Sequence, residues 1–260
     1  MPYINNKGVK THYKVEGYGQ PLVMLHGLFL SIQEWYEDNY VEKLRSENQL
    51  ILIDQRGRGK SDKPHHSDSY SLNIFRDDVI MVLDELEINR TNVFGFSMGG
   101  WVTYSLARCY PERINSIIVS DGVPEREDPN LFRNMINTMD EWIPELQDAT
   151  PADKSRLLNN DRLALLALTE WVEKDIQDIL DFVDSTIDLI DLPCLVFVSG
   201  PADDSDEYRL LKKTADTIPD AIFIEFKNLT HRGLHKRIDL VLPHINHFLE
   251  GVRRQYPLTE

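Results

Sequence analysis

Cysteine is nearly absent from this sequence, two residues in 260, Cys109 and Cys194. Two cysteines build neither the disulfide framework of a small secreted scaffold nor a cysteine-rich metal site. Each stands beside apolar residues, so both read as buried free thiols, and no metal or other cofactor is expected. Long apolar runs are missing too. Nothing approaches the roughly 18 consecutive apolar residues of a membrane span, and Met1 to Lys10 has neither the charged start nor the apolar stretch of a secretory leader. A cytoplasmic protein without a membrane span is the expectation. Positive charge is scarce: 28 Lys and Arg against 43 Asp and Glu leave a formal net charge of -15. Such a field repels phosphate backbones and anionic surfaces, so nucleic acid is not an expected partner. With only 13 Gly and 13 Pro the chain is neither fibrous nor disordered, and it contains no internal repeat.

What the sequence does contain is an alternation of short apolar runs with helix-like segments. Tyr3–Ile4 and Val9 to Val15, joined through Asn6-Lys7-Gly8, read as a hairpin. Leu22–Leu25, Leu50–Ile53, Val93–Phe96, Ile117–Val119, Leu195–Val198 and Ile222–Ile224 are unbroken apolar runs, the pattern of strands covered on both faces. Helix-like spacing fills Ser31 to Ser46, Leu72 to Leu86, Gly99 to Tyr110, Asp206 to Thr217 and Asp239 to Arg254. Strand alternating with helix predicts a mostly parallel sheet. The alternation stops between about 124 and 190, where Trp142, Leu157, Leu165, Leu168 and Trp171 suggest helices alone. The expected organisation is a core of residues 1–123 and 191–260 with a helical cap inserted at 124–190.

One motif carries chemistry in its context. Gly95-Phe96-Ser97-Met98-Gly99 follows a predicted strand and opens a predicted helix, which makes Ser97 a candidate nucleophile on a sharp turn. The helix start there favours developing negative charge. His26-Gly27-Leu28-Phe29 ends the Leu22–Leu25 strand, and its glycine lets the loop bend so that the Leu28 N–H, paired with that of Met98, forms an oxyanion hole. His26 itself, before a tight loop, reads as a structural hydrogen-bonding residue. The glycines of Asp54-Gln55-Arg56-Gly57-Arg58-Gly59-Lys60-Ser61 match neither G-x-G-x-x-G nor a P-loop.

Taken together, Gly95–Gly99, His26-Gly27 and Asp54–Ser61 resemble the α/β-hydrolase superfamily in order and spacing. The resemblance implies an α/β-hydrolase fold, a mostly parallel eight-stranded sheet flanked by helices with an inserted helical cap. It also implies a triad in the chain order serine, acid, histidine. Past the strand Leu195–Val198, Gly200-Pro201-Ala202-Asp203 places Asp203 where the family's acid stands, although Asp204 and Asp206 are close neighbours. His231, after the strand Ile222 to Phe226, then occupies the place of the base. His235 suggests a metal-binding pair with it, but the intervening Arg232-Gly233 argues against both a helix and a cation. Departures from the family pattern are Pro201-Ala202 in the acid loop and Thr230, where the family often has glycine.

The resemblance implies a serine hydrolase in which His231 takes the Ser97 proton, Leu28 and Met98 bind the oxyanion, and Asp203 steadies the imidazolium. A serine at this position disfavours the dehalogenase and epoxide-hydrolase branches, whose chemistry runs through an alkyl ester. Carboxylic ester hydrolysis leads. Thioester, amide and C–C bond hydrolysis and perhydrolysis share the motifs, and a ligand-binding relative with little turnover is the alternative from another class. Phe29 and Trp142 are the expected substrate contacts, with Leu165 and Trp171 as further apolar candidates. A small neutral ester or acyl compound is the expected partner.

Overall fold

The computed structural model describes residues 2–122, 131–147, 149–200, 206–219 and 221–257. Strands β1 (Tyr3–Asn6) and β2 (Val9–Glu16) form the expected antiparallel hairpin, turning at Lys7 and Gly8, whose φ values of 53° and 88° suit a tight hairpin turn. There follow β3 (Gln20–Leu25), helices α1 (Ile32–Glu37) and α2 (Tyr40–Leu44), and β4 (Asn48–Ile53). Next come α3 (Leu72–Glu85), β5 (Thr91–Phe96), α4 (Met98–Cys109) and β6 (Ile114–Ser120). Four helices, α5 (Leu131–Asn137), α6 (Met139–Trp142), α7 (Pro151–Leu158) and α8 (Arg162–Thr186), precede β7 (Cys194–Gly200). The chain closes with α9 (Asp206–Thr217), β8 (Ala221–Lys227), α10 (His231–His235) and α11 (Ile238–Gln255).

The eight strands make one sheet in the order β1-β2-β4-β3-β5-β6-β7-β8, antiparallel at β1 and β2 and parallel from β4 onward. The apolar runs of β3 to β7 are continuous because each of these strands must satisfy two layers; β8, at the sheet edge, is not covered on both faces as expected, and its Ile222 is exposed. Val23, Leu25, Ile51, Ile53 and Val93 pack on one face with Val79 and Val82 of α3 and Val102 of α4. Their neighbours Leu22, Met24, Leu50, Leu52 and Phe94 pack on the other with Trp35, Tyr40 and the α11 residues Val241, Ile245 and Leu249. This period of two along each strand, met by a 3.6-residue stripe on each helix, puts the strand ends and their loops where side chains can converge.

Two expectations are corrected. The single helix over Ser31 to Ser46 is two, α1 and α2, because Asn39 adopts φ 63° between them. Asparagine tolerates that left-handed conformation better than most residues. Of the two thiols only Cys194 is buried; Cys109, at the last turn of α4, is exposed.

Between β6 and β7 the described residues form helices and no strand. They lie on the core through Trp171 against Phe75 at 5.8 Å, Phe132 against Trp101 at 6.2 Å and Trp142 edge-on to Phe29 at 5.7 Å between ring centroids. The expected start of the cap, near 124, lies outside the described residues. No helix among the described residues is long and apolar enough to cross a membrane.

Candidate active site

Ser97 stands between the last residue of β5 and the first of α4 with φ 53° and ψ -124°. An L residue held in so sparsely populated a region costs roughly 1–3 kcal/mol, and the surroundings hold it there. Its N–H donates to the Ser120 carbonyl of β6 at 2.9 Å, and its own carbonyl accepts from Gly100 at 2.7 Å. The flanking glycines have no room for side chains: a Cβ on Gly95 would fall 2.3 Å from Thr103 Oγ1, and one on Gly99 would fall 2.2 Å from the Leu25 carbonyl oxygen. Ser97 is partly exposed among buried neighbours. The clash at Gly99 is with backbone, so Gly99→Ala is expected to cost at least about 1–3 kcal/mol. Equilibrium urea unfolding of the variant measures this, and an unchanged midpoint would contradict so tight a turn.

The loop after β3 approaches this turn directly. A Cβ on Gly27 would sit 3.2 Å from Ser97 Cβ, and Leu28, the next residue, is buried. His26 is fully buried, with its Nδ1 2.8 Å from the Gly27 carbonyl and its Nε2 accepting from the Gln55 N–H at 3.1 Å. This pattern assigns the neutral Nδ1–H tautomer. Burial, reinforced by the Arg58 charge, lowers its pKa to about 4. His26 is thus a brace between two loops, as the sequence suggested.

The segment Asp54 to Ser61 holds the adjoining wall. Asp54 accepts from the Ile32 N–H at 2.8 Å and the Lys60 N–H at 3.0 Å, and lies 2.8 Å from His12 Nδ1. Burial alone would raise its pKa, but these partners outweigh it and hold the carboxyl below its ordinary range. Arg56 is forked onto Asp78 of α3 in a buried pair, with both hydrogen bonds at 2.7 Å. Arg58 is fully buried with its guanidinium 5.5 Å from the Phe75 ring centroid, and burial pushes its pKa down to about 10.

His231 opens α10, where Thr230 caps the helix by accepting the Gly233 N–H at 2.9 Å. Its ring lies 4.9 Å from that of Phe96, the residue immediately before Ser97. The structure therefore brings Ser97, Leu28, Met98 and His231 to one end of the sheet. Arg232-Gly233 does not break the helix, contrary to expectation, because the Thr230 hydroxyl supplies the first-turn acceptor. His235 sits one turn on, but its ring stacks on Phe96 at 4.1 Å and against Tyr40 at 5.2 Å. Burial and the nearby Arg232 charge hold its pKa well below the ordinary value, so it is neutral.

Phe29 and Trp142 meet edge-on, and Asn160, between α7 and α8, donates to the Phe29 carbonyl at 3.1 Å. These contacts join the helices between β6 and β7 to the loop after β3, beside Leu28. Asp203 and Asp204 lie outside the described residues. One carboxylate that the sequence reading missed does stand at this end: Asp121, buried, one residue past Ser120, at φ 47°. Its Oδ1 accepts the Ser199 N–H of β7 at 2.6 Å. The Ser-Asp-Gly run at a strand end was the signal available for it. A cavity of about 460 Å³ bounded by Pro193, Pro219 and His247 lies at the opposite end of the strands and belongs to none of this.

Comparison with known proteins agrees with the geometry. The family described as "alpha/beta hydrolase fold" matches residues 20–233. "Epoxide hydrolase 4" of Mus musculus is 34% identical over 119 residues, 45% of this chain and 32% of that protein. A "putative 2-succinyl-6-hydroxy-2,4-cyclohexadiene-1-carboxylate synthase" of Bacillus subtilis is 31% identical over 105 residues, 40% of this chain and 37% of that protein. These matches thus span only about a third of either relative's length. Among solved structures, the enol-lactonase of Burkholderia xenovorans LB400 superposes with a TM-score of 0.78 at 20% identity, covering 96% of this chain and 100% of that one. With the strained serine turn after β5, the braced loop after β3 and a family match over most of its length, the chain belongs to the alpha/beta hydrolase fold family.

Proposed function

We propose that the protein is a serine hydrolase that cleaves carboxylic esters through an acyl-enzyme on Ser97. The observation that carries this is the residue at the strained strand-to-helix turn, a serine, with the His231 ring packed on the adjoining Phe96. In the proposed reaction His231 accepts the hydroxyl proton as Ser97 Oγ attacks the carbonyl carbon. The Leu28 and Met98 N–H groups stabilise the oxyanion, and the alcohol leaves with the proton from His231. Water, deprotonated by His231, then attacks the acyl carbon and frees Ser97 and the acid, with Asp203 orienting the imidazole. The epoxide-hydrolase likeness does not carry over as an activity. Serine attack on an epoxide carbon leaves an ether, which water does not readily cleave, whereas attack on an acyl carbon leaves an ester that it does. Turnover of p-nitrophenyl acetate with a burst of p-nitrophenol, and a mass increase of one acetyl group on Ser97 in acid-quenched enzyme, test the reading. Absence of both overturns it.

Two expectations follow from the surroundings. His26 and His235 are held neutral, so neither adds an imidazole to the acid limb of kcat/KM, although Asp38, whose carboxyl burial pushes up to about 6, titrates in the same range. The rate should fall below roughly pH 6 to 7 as the base takes a proton, and be flat above it. A rate unchanged from about pH 5 to 9 would count against a histidine base. As for substrate charge, the described arginines of the cap are already committed, Arg133 to Glu173, Arg156 to Glu34 and Arg162 to Asp140. With a net charge of -15 over the whole chain, neutral short-to-medium acyl esters are expected to exceed carboxylate-bearing analogues of equal size. The gap in kcat/KM should be about tenfold at low salt and shrink as salt is added.

A further inference from the structure

The catalytic end carries an ion cluster that ester hydrolysis as written does not use. Its centre is Glu34 of α1, a carboxylate in a side chain only 1% exposed. Its Oε1 lies 2.6 Å from Arg156 Nη2 of cap helix α7, and its Oε2 is paired with Arg232 Nη2 of α10. Arg156 also pairs with Glu37 of α1 and, at 2.9 Å, with Asp153. Arg232 lies 3.2 Å from Asp38, which in turn is 3.4 Å from His235 Nε2, and Lys236 reaches Asp153 at 2.7 Å. Three separate parts of the protein thus share one buried carboxylate. The first is α1, whose Ile32 N–H is fixed on Asp54 just beyond the Leu28–Leu30 loop. The second is the cap, and the third is the helix that begins with His231.

Two guanidinium contacts on one buried carboxylate make the partners interdependent. Were Arg156 to lose its contact, Glu34 would keep a single counter-charge in a poorly solvated place, and the Arg232 contact would have to carry or lose it. Arg232 is the residue next to the base, so its displacement turns the His231 backbone.

We infer that Glu34 is a positioning residue that couples the seating of the cap to the placement of His231, through Arg156 on one side and Arg232 on the other. The kinetic part of this inference rests on His231 being the base; the coupling itself does not.

The test therefore uses two readouts on the full-length protein. Hydrogen exchange of the α10 amides is followed in Arg156→Gln, whose change lies on the cap. Coupling requires exchange at Leu234 to Arg237 to accelerate by about tenfold while α3 amides stay unchanged. The second readout is a double-mutant cycle of Arg156→Gln and Arg232→Gln, scored by kcat/KM on acetyl and octanoyl esters. Each single change is expected to lower the rate by about tenfold on both esters alike, and the pair together by no more than either alone. Glu34→Gln should reproduce the pair, and the cycle decides the matter if that variant fails to fold. Exchange confined to the cap, additive losses, or a loss that grows with acyl length would overturn the inference, the last because it marks a pocket contact. If no ester is turned over but the α10 exchange still accelerates, the hydrolase reading fails and the coupling stands.

Discussion

Ser97→Ala and His231→Ala are each expected to abolish nearly all ester turnover, with kcat reduced by roughly 10³-fold or more, while far-UV circular dichroism and the unfolding midpoint stay close to those of the parent. The size follows from interdependence. The serine hydroxyl is a poor nucleophile until an imidazole takes its proton, and the imidazole has nothing to deprotonate in acyl transfer once the hydroxyl is gone. Removing either therefore costs about as much as removing both, and the double variant should be no slower than the worse single one. The fold should tolerate Ser97→Ala because its turn is held by backbone hydrogen bonds to Ser120 and Gly100 and by the packing of Gly95 and Gly99. The loss of a hydroxyl disturbs none of these. His231 is partly exposed at a helix start whose cap is supplied by Thr230, so its side chain is also dispensable to the fold. A burst titration with p-nitrophenyl acetate gives the count of acylatable sites. Near-parental kcat in Ser97→Ala would remove the serine from the chemistry altogether.

The legibility of these features in the sequence was uneven for physical reasons. The central strands were plain because burial on both faces removes polar residues from Leu22–Leu25 or Leu50–Ile53, and runs so short, bounded by polar or glycine-containing segments, suit strands better than helices. The serine turn was plain because its crowding forbids side chains at 95 and 99, so the glycines record the geometry. The helix break at Asn39 was hidden, since one asparagine in the left-handed region leaves the apolar spacing on either side intact. Gly233 misled for the opposite reason: glycine weakens a helix only on balance, and the Thr230 cap offsets it. The ion cluster around Glu34 could not be read at all, because its members come from α1, α7 and α10, and only the folded chain brings residues 34, 156 and 232 together.

The triad acid is where sequence and structure bear on different residues, and its assignment carries the other large expected effect. Asp203 follows β7 in sequence, at the position where the family resemblance places the acid, and Asp203→Asn is expected to lower kcat by about 10⁴-fold by stabilising the wrong imidazole tautomer. Asp121, at the end of the neighbouring strand β6, offers the second carboxylate. Its Oδ1 is held by the Ser199 N–H at 2.6 Å, a contact that ties the ends of β6 and β7 together. A carboxylate so engaged serves the loop geometry first. An amide at that position can still accept the hydrogen bond through its carbonyl, so Asp121→Asn is expected to lower kcat by no more than about tenfold and to act mainly on stability, by about 1–3 kcal/mol for a buried charged hydrogen bond weakened. The two variants separate cleanly. If Asp203 is the acid, Asp203→Asn loses activity with its unfolding midpoint intact, and Asp121→Asn shows the converse. If Asp121→Asn is the one that loses several orders of magnitude, the acid stands just past the end of β6 and Asp203 has no part in the chemistry. Asp204→Asn completes the set: a large loss there, with Asp203→Asn nearly silent, would move the assignment by one residue and leave the mechanism unchanged.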